Sequence, residues 1–271
     1  MVRIGAFLVG LFFAGWLIIS FIIGSVAYIQ EPPQPTVESV FHKHPKHIAF
    51  SFDGPTGHYD KQQLQRGFLV YKEVCSACHS IHQVAFRDLE ALGYSPAEVK
   101  AIAKQGPKQE TFNPVTGDRA ERDSLPADKF PAVYYAGAGV PPDLSLIAKS
   151  RHGGAQYIAS LLTGYQDQPA ELLKQFPDAK TPDGLYYNPY FANLNIAMPA
   201  PLSGDGQVTY SDGTKATKEQ MAKDVAAFLM WAAEPKLENR HRAGFPVLIF
   251  LVMATALAYL AYRNIWANKP H

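Results

Sequence analysis

Two long apolar stretches stand near the ends of the chain and enclose a polar middle. Residues 4–26 are almost entirely apolar, and residues 245–262 form an uncharged run of 18 residues. A helix rises about 1.5 Å per residue, so each stretch is long enough to cross the hydrocarbon core of a bilayer. Basic residues follow the second stretch, as is typical of a cytoplasmic flank. The pattern predicts a transmembrane helix at residues 241–263 and a cytoplasmic tail at residues 264–271.

The first apolar stretch allows two interpretations. It follows Arg3, and the small residues Ser25 and Ala27 match the positions that a signal peptidase reads. The run is longer than an ordinary signal-peptide core, so an uncleaved anchor fits as well. Residues 1–30 are therefore predicted to be a signal peptide or a signal anchor. Both interpretations place the residues that follow outside the cytoplasm.

The polar middle contains two amphipathic helical patterns. Asp60 and Thr217 are predicted N-caps, and Gln63 and Gln220 complete the sequence pattern of a capping box. Pro235 is expected to end the second helix or to bend it before the membrane segment. Apolar residues follow each cap at spacings of four, three and four, which is one face of a helix. The two sets are Leu64, Phe68, Tyr71 and Cys75, and Met221, Val225, Phe228 and Ala232.

Residues 31–240 are long enough to form one globular domain. A proline-rich linker at residues 31–35 leads into it, and residues 105–140 are predicted to be a long insertion because they are rich in glycine, proline and charge. Strand signals are weak and limited to residues 208–210. The sequence indicates an all-α domain with long loop insertions, a carboxyl-terminal transmembrane helix and an amino-terminal apolar segment.

The charge of this domain is mild. It contains all 24 acidic residues of the chain and 21 of the 25 basic ones, which gives a formal charge of −3. Binding to nucleic acid requires a strongly basic face. Nucleic acid is therefore not an expected partner.

The strongest chemical signal is the segment Cys75-Ser76-Ala77-Cys78-His79. C-x-x-C-H is the attachment signature of a c-type haem. Two thiols at this spacing can each form a thioether to one porphyrin, and the adjacent imidazole then becomes an axial ligand of the iron. The chain has no further cysteine, whereas a zinc ribbon needs a second pair of ligands. The segment predicts one covalent haem c.

The sixth ligand of the iron sets its chemistry, and the chain offers five methionines. Met1 and Met253 lie in the apolar ends, and Met221 and Met230 lie in a helical pattern that favours core packing. Met198 differs because it lies in a loop that prolines stiffen. A rigid loop can hold a thioether at a fixed distance from the iron, although a buried gap-filling role is the alternative.

Histidine is the alternative type of sixth ligand. His82 follows His79 too closely to reach the opposite side of the ring. His152 has no such restriction. Ligation by two histidines, with His152 as the second, therefore stays open beside ligation by Met198.

Eight segments, in order along the chain, match one known family: residues 66–75, 141–145, 151–154, 161–165, 188–191, 197–199, 222–225 and 231–235. Together they resemble cytochrome c1, the haem subunit of the bc1 complex, in its alphaproteobacterial form. The resemblance extends over residues 50–263. Eight ordered segments are far more specific than C-x-x-C-H alone. The resemblance implies a c-type cytochrome fold.

The resemblance also implies a set of site residues. One haem c would be held by two thioethers and two axial ligands, which are Cys75, Cys78, His79 and Met198. Arg151 would pair with a haem propionate, because a guanidinium binds a carboxylate through two parallel hydrogen bonds. The pocket would be lined by Pro141, Pro142 and Tyr157, although an aromatic core role suits Tyr157 equally well.

The function that the resemblance implies is electron relay. The chain would take one electron from a Rieske iron–sulfur protein and pass it to a c-type cytochrome. It would be bound to cytochrome b and membrane lipid in a dimeric complex of the bacterial inner membrane, with the haem domain in the periplasm. The complex would be the enzyme, a quinol–cytochrome c reductase, and this chain would supply no acid–base pair or nucleophile. The alternatives are a stand-alone membrane-anchored cytochrome c and a haem sensor or peroxidase with a labile sixth ligand.

Overall fold

A computed structural model describes residues 2–32, 34–137 and 139–269. Met1, which was one candidate ligand, Pro33 of the predicted linker and residues 270–271 of the predicted tail lie outside the described residues. The chain divides into two compact units, one ending at Phe41 and one beginning at His42. The second unit contains both predicted amphipathic helices and the haem-attachment motif.

Helices dominate the described residues, as predicted. They are α1 (Val2–Gln30), α2 (Val37–Phe41), α3 (Lys61–Val70), α4 (Pro96–Gln105), α5 (Ile147–Ser150), α6 (Gly154–Leu162), α7 (Ala170–Gln175), α8 (Lys218–Ala233) and α9 (Leu237–Trp266). A π-helical turn at Tyr71–Cys75 continues α3, and a 3-10 helix covers Phe86–Leu92. The sequence-based prediction of an all-α fold is confirmed.

The strands form two small antiparallel hairpins. In the first, β1 (Gln109–Phe112) pairs with β2 (Arg119–Arg122), and in the second, β3 (Tyr186–Tyr187) pairs with β4 (Asn195–Ile196). The first hairpin lies inside the predicted insertion at residues 105–140. The strand predicted at residues 208–210 is wrong. Its alternation reflects burial on either side of the exposed Thr209, but no neighbouring strand completes a hydrogen-bonded ladder there.

Of the helices in the described residues, α1 and α9 are long and apolar enough to cross a membrane. Their most apolar 18-residue windows have mean hydropathies of 2.5 and 2.2, and neither window is buried within the protein. Helix α8 ends at Ala233, two residues before Pro235, as predicted. Helix α9 then begins at Leu237, so one continuous helix joins the end of the haem domain to the predicted membrane segment.

The core is built on the contact between α3 and α8. Leu64 and Phe68 of α3 pack with Met221 and Phe228 of α8, and the rings of Phe68 and Phe228 are 5.6 Å apart. Gly67 allows the closest approach: a Cβ atom there would lie 2.1 Å from the carbonyl oxygen of Asp224. The predicted spacings of four, three and four therefore identified the two buried helix faces correctly.

A buried carboxylate joins the same two helices. Asp224 is fully buried and accepts hydrogen bonds from Gln63 Nε2 (3.0 Å), Gln220 Nε2 (2.8 Å) and Arg66 Nε (2.9 Å). Asp60 caps α3 and Thr217 caps α8, as predicted. The capping boxes do not form. The two glutamine side chains that would close them donate through Nε2 to Asp224 instead, because a buried carboxylate without donors costs more than an exposed backbone N–H that water can satisfy.

Candidate haem site

The two cysteines lie where α3 gives way to loop. Cys75 ends the π-helical turn, and the amide nitrogens of Cys78 and His79 both donate to Cys75 O, at 3.1 and 2.9 Å. Short π-helical turns within helices occur frequently at functional sites. Neither cysteine forms a disulfide, and both are half-buried. The turn brings both thiols and the imidazole to one short stretch of chain.

The Cys75 thiol has an environment that disfavours ionisation. Burial raises the pKa of Cys75 to about 12, and the nearby Cys78 acts in the same direction. Zinc binding and thiol–disulfide exchange both require a thiolate. The position suits a neutral sulfur, such as a thioether, better than either of those.

His79 is oriented by its neighbours. Its Nδ1 lies 2.8 Å from Pro142 O, and a carbonyl can only accept, so Nδ1 carries the proton and donates. In the neutral imidazole, Nε2 is then the nitrogen without a proton and is the one available as a ligand. Tyr71 Oη donates to His79 O at 3.0 Å and fixes the backbone beside the ring. A second hydrogen bond that sets the tautomer and ring orientation is typical of a metal-binding histidine.

The Asp143 carboxylate links the loop that follows His79 to its own loop by hydrogen bonds. Its carboxylate accepts hydrogen bonds from Ser80 Oγ (2.7 Å), His82 N (2.9 Å) and Ser145 N (2.9 Å). Burial alone would raise the pKa of Asp143, but the hydrogen bonds from Ser145, His82 and Ser80 outweigh it and hold the pKa far below its usual range. His82 Nδ1 is 2.6 Å from the same carboxylate. Sequence reasoning did not identify Asp143; an acidic residue two positions before a serine in a proline-rich loop was the available signal.

Met198 lies two residues beyond β4, in an irregular segment. It is half-buried and packs on the same apolar core as Cys75 and Tyr157. Tyr165 Oη donates to Met198 O at 3.1 Å. Met221, in contrast, is fully buried in the core, as its helical spacing predicted. His152, the alternative sixth ligand, is exposed and directly precedes the first turn of α6.

Arg151 and Tyr157 lie side by side at the amino-terminal end of α6. Burial raises the pKa of Tyr157, and the positive charge of Arg151 acts in the opposite direction. Arg151 itself is exposed; Nη1 makes long contacts with Ser150, at 3.4 and 3.5 Å, and the side chain also hydrogen-bonds Tyr157. The guanidinium is therefore free of any carboxylate partner within the described residues. Pro141 is half-buried beside Pro142.

The donor set fits a covalent haem c. It contains two unpaired thiols, an imidazole whose Nδ1 is already held, and a thioether packed on the same core. In the described part of the chain, no three residues of the types His, Cys, Asp or Glu form a cluster that could hold a metal ion by itself. Fold and site together define a c-type cytochrome with apolar helices near both ends.

Comparisons with known proteins agree with this class. Residues 50–269 match the model of the Cytochrome C1 family. Cytochrome c1 of Rhodospirillum rubrum is 43% identical over 241 residues, covering 82% of this chain and 87% of that protein. Cytochrome b/c1 of Bradyrhizobium diazoefficiens is 42% identical over 248 residues, covering 81% of this chain but only 35% of that longer protein. The mitochondrial heme protein cytochrome c1-2 of Solanum tuberosum is 41% identical over 222 residues, 77% of this chain and 80% of its own length.

The chain belongs to the cytochrome c1 family. Members of this family carry haem c and serve as the electron-transfer subunit of the bc1 complex, the quinol–cytochrome c reductase. The family implies cytochrome b and a Rieske iron–sulfur protein as partners in general. The apolar helices α1 and α9 fit a membrane-anchored subunit. The resemblance that the sequence motifs indicated is confirmed.

Proposed function

We propose that one haem c is bound through thioethers to Cys75 and Cys78, with His79 Nε2 and the Met198 sulfur as axial ligands. The observation that carries this assignment is the hydrogen bond from His79 Nδ1 to Pro142 O, because it leaves Nε2 as the free ring nitrogen. The bound haem supplies a one-electron carrier. A methionine in the sixth position raises its reduction potential relative to a second histidine.

The surrounding residues hold and tune this carrier. Arg151 pairs with a haem propionate. Its guanidinium is available for this, because it has no carboxylate partner within the described residues. Tyr157 packs beside Arg151, and Pro141 and Pro142 line the haem pocket. The chain contributes binding, orientation and electrostatics, with no acid, base or nucleophile of its own.

The proposed haem site also implies where the chain lies in the cell and which proteins it contacts. The haem domain lies in the periplasm of a bacterium and is held to the inner membrane by α9, with cytochrome b and membrane lipid beside it. Electrons arrive from the Rieske protein and leave to a c-type cytochrome, and the complex is a dimer. The name of the b/c1 relative, which joins both cytochromes in one protein, supports the pairing with cytochrome b.

Gentle detergent extraction of the tagged chain tests this proposal. Visible spectra and mass spectrometry of the purified material should show c-type haem together with b-type haem and a Rieske protein. A c-type spectrum without those partners would indicate a stand-alone membrane-anchored cytochrome. Carbon monoxide binding to the reduced protein would indicate a haem sensor with a labile sixth ligand.

Substitution of the thiols tests the attachment site. Cys75→Ser and Cys78→Ser should each reduce the haem that stays on the chain after denaturation, and the double variant should retain none. Ala77→Ser is the matched control, because it places the same hydroxyl between the two cysteines. Retention of covalent haem by the double variant would contradict the proposal.

A further inference from the structure

Two segments that identify the family have been given no role in the site so far, apart from the hydrogen bond between Tyr165 and Met198 O. They are residues 161–165, at the carboxyl-terminal end of α6, and residues 188–191, which follow β3. The two segments are in direct contact: a Cβ atom on Gly164 would lie 2.4 Å from the Tyr190 ring and 2.8 Å from Asn188 Oδ1. Only glycine at this position allows the end of α6 to approach residues 188–190 so closely.

Asn188 is the connection between these segments. It is fully buried, and Nδ2 donates to Leu161 O at 2.8 Å, where α6 ends. Asn188 Oδ1 accepts from Tyr190 N at 3.1 Å, and the backbone amide of Asn188 donates to Leu194 O at 2.8 Å. The two bonds of the buried side-chain amide and the one bond of the backbone N–H fix the β3–β4 hairpin relative to α6.

Leu194 shows how tightly that hairpin is held. Its φ is 66°, and it is the one non-glycine residue with positive φ among the residues that the structure describes. A branched side chain avoids this left-handed conformation, so it persists only where surrounding contacts determine it. Leu194 N donates to Phe191 O at 2.9 Å, and its side chain is buried. The chain then passes through β4 directly into the segment that carries Met198.

Tyr165 makes a second attachment, on Met198 itself. Its hydroxyl donates to Met198 O at 3.1 Å, and it lies three residues after α6, near the helix end that Asn188 bonds through Leu161 O. A phenolic hydroxyl is a hydrogen-bond donor, so Tyr165 can hold this carbonyl in place.

We infer that Tyr165 and Asn188 are positioning residues for the sixth ligand of the haem iron. Asn188 holds the backbone on its approach to Met198, and Tyr165 holds the carbonyl of Met198. Both tie it to α6, the helix that also carries Tyr157 beside Arg151. The inference rests on the proposed ligation by Met198. It assigns a role to the two family segments that the site alone leaves unexplained.

These two contacts should keep the Met198 sulfur bound to the iron in both oxidation states. The segment around Met198 is irregular, and the flanking Ala197 and Pro199 are exposed, so apolar packing alone holds it weakly. Removing a single neutral hydrogen bond shifts such an equilibrium by about fivefold. Loss of the Tyr165 hydroxyl should therefore raise the fraction of haem with detached sulfur about fivefold.

The test uses the assembled, haem-containing complex with Tyr165→Phe, which removes only the hydroxyl. Three quantities are measured: the weak long-wavelength absorption band that sulfur ligation gives to ferric haem, the fraction of ferrous haem that binds carbon monoxide, and the midpoint potential. The band should weaken, carbon monoxide binding should rise about fivefold, and the potential should fall. Asn188→Ala should change all three in the same direction.

Tyr186→Phe is the matched control. Tyr186 lies in β3 of the same hairpin, is half-exposed, and its hydroxyl makes no hydrogen bond within the described residues. All three quantities should be unchanged in that variant. A purely structural role for Tyr165 would lower the thermal stability of Tyr165→Phe and leave all three quantities at their wild-type values, which would overturn the inference.

Met198→Leu separates this inference from the proposed ligation. If Met198→Leu removes the band and Tyr165→Phe does not weaken it, the ligation stands and the positioning role fails. If Met198→Leu leaves the band unchanged, the ligation itself fails, and the inference fails with it. The measurements therefore assign any failure to one of the two statements.

Discussion

The α3–α8 pair and the Met198 segment are held in contrasting ways. The helix pair combines a continuous apolar face with the fully buried Asp224 and its hydrogen-bond donors. The Met198 segment has little regular structure, and its attachments to α6 are the hydrogen bonds of Tyr165 and Asn188. The comparison indicates that one part of the domain determines its stability and another part determines its haem chemistry. Substitutions in the first should unfold the protein, and substitutions in the second should change the haem.

The largest effect is expected from Asp224→Ala. The change leaves the Arg66 guanidinium without its buried partner and orphans the donors of Gln63 and Gln220, so the free energy of unfolding should fall by about 3–5 kcal/mol. Thermal unfolding of the detergent-solubilised complex measures it. Asp212→Ala removes the more exposed partner of Arg66 and should cost much less. Equal losses in the two variants would show that burial of Asp224 does not matter.

Gly67→Ala should destabilise the same helix pair through sterics alone. An added methyl group would lie 2.1 Å from Asp224 O, so the helices must separate at a cost of about 1–3 kcal/mol. That cost exceeds the gain of up to about 1 kcal/mol that alanine brings to a helix interior. Gly244→Ala, in α9, is the control, because nothing lies within 4 Å of its added Cβ atom. A wild-type melting temperature in Gly67→Ala would contradict the close approach.

Met198→Leu should give the opposite result. A leucine of similar volume costs less than about 1.5 kcal/mol of stability, yet the sulfur band should vanish and the midpoint potential should fall. Met230→Leu in α8, at another half-buried methionine, should leave spectrum and potential unchanged. If both variants kept the wild-type spectrum, a second histidine such as His152 would be the better assignment for the sixth ligand.

The sequence was most informative about the helices, because their side chains recur at regular spacings. Spacings of four, three and four identified the buried faces of α3 and α8, and Asp60 and Thr217 were correctly predicted as caps, because each signal lies within one helix. The apolar runs of α1 and α9 were equally clear. C-x-x-C-H gave the haem-attachment motif without any knowledge of the fold.

The features that sequence reasoning missed depend on contacts between distant segments. Gln63 leaves the predicted capping box because Asp224, far away in sequence, competes for its side chain. Asp143 has a local signal, its position two residues before Ser145, but the bonds by which it and Asn188 join other segments are not visible in local spacing. The alternation at residues 208–210 was a true burial pattern, but a strand also needs a partner, and periodicity does not show whether one exists.

The smallest effect is expected far from both regions, at Asp128→Asn. The Arg122 side chain and Leu125 N both donate to Asp128 and lower its pKa to about 2. Its contribution to stability is therefore complete above the ordinary value of about 3.9 and is lost as the pH falls through about 2. The melting temperatures of wild type and Asp128→Asn should differ slightly at pH 5 and converge towards pH 2. Parallel curves for wild type and Asp128→Asn would exclude this contribution.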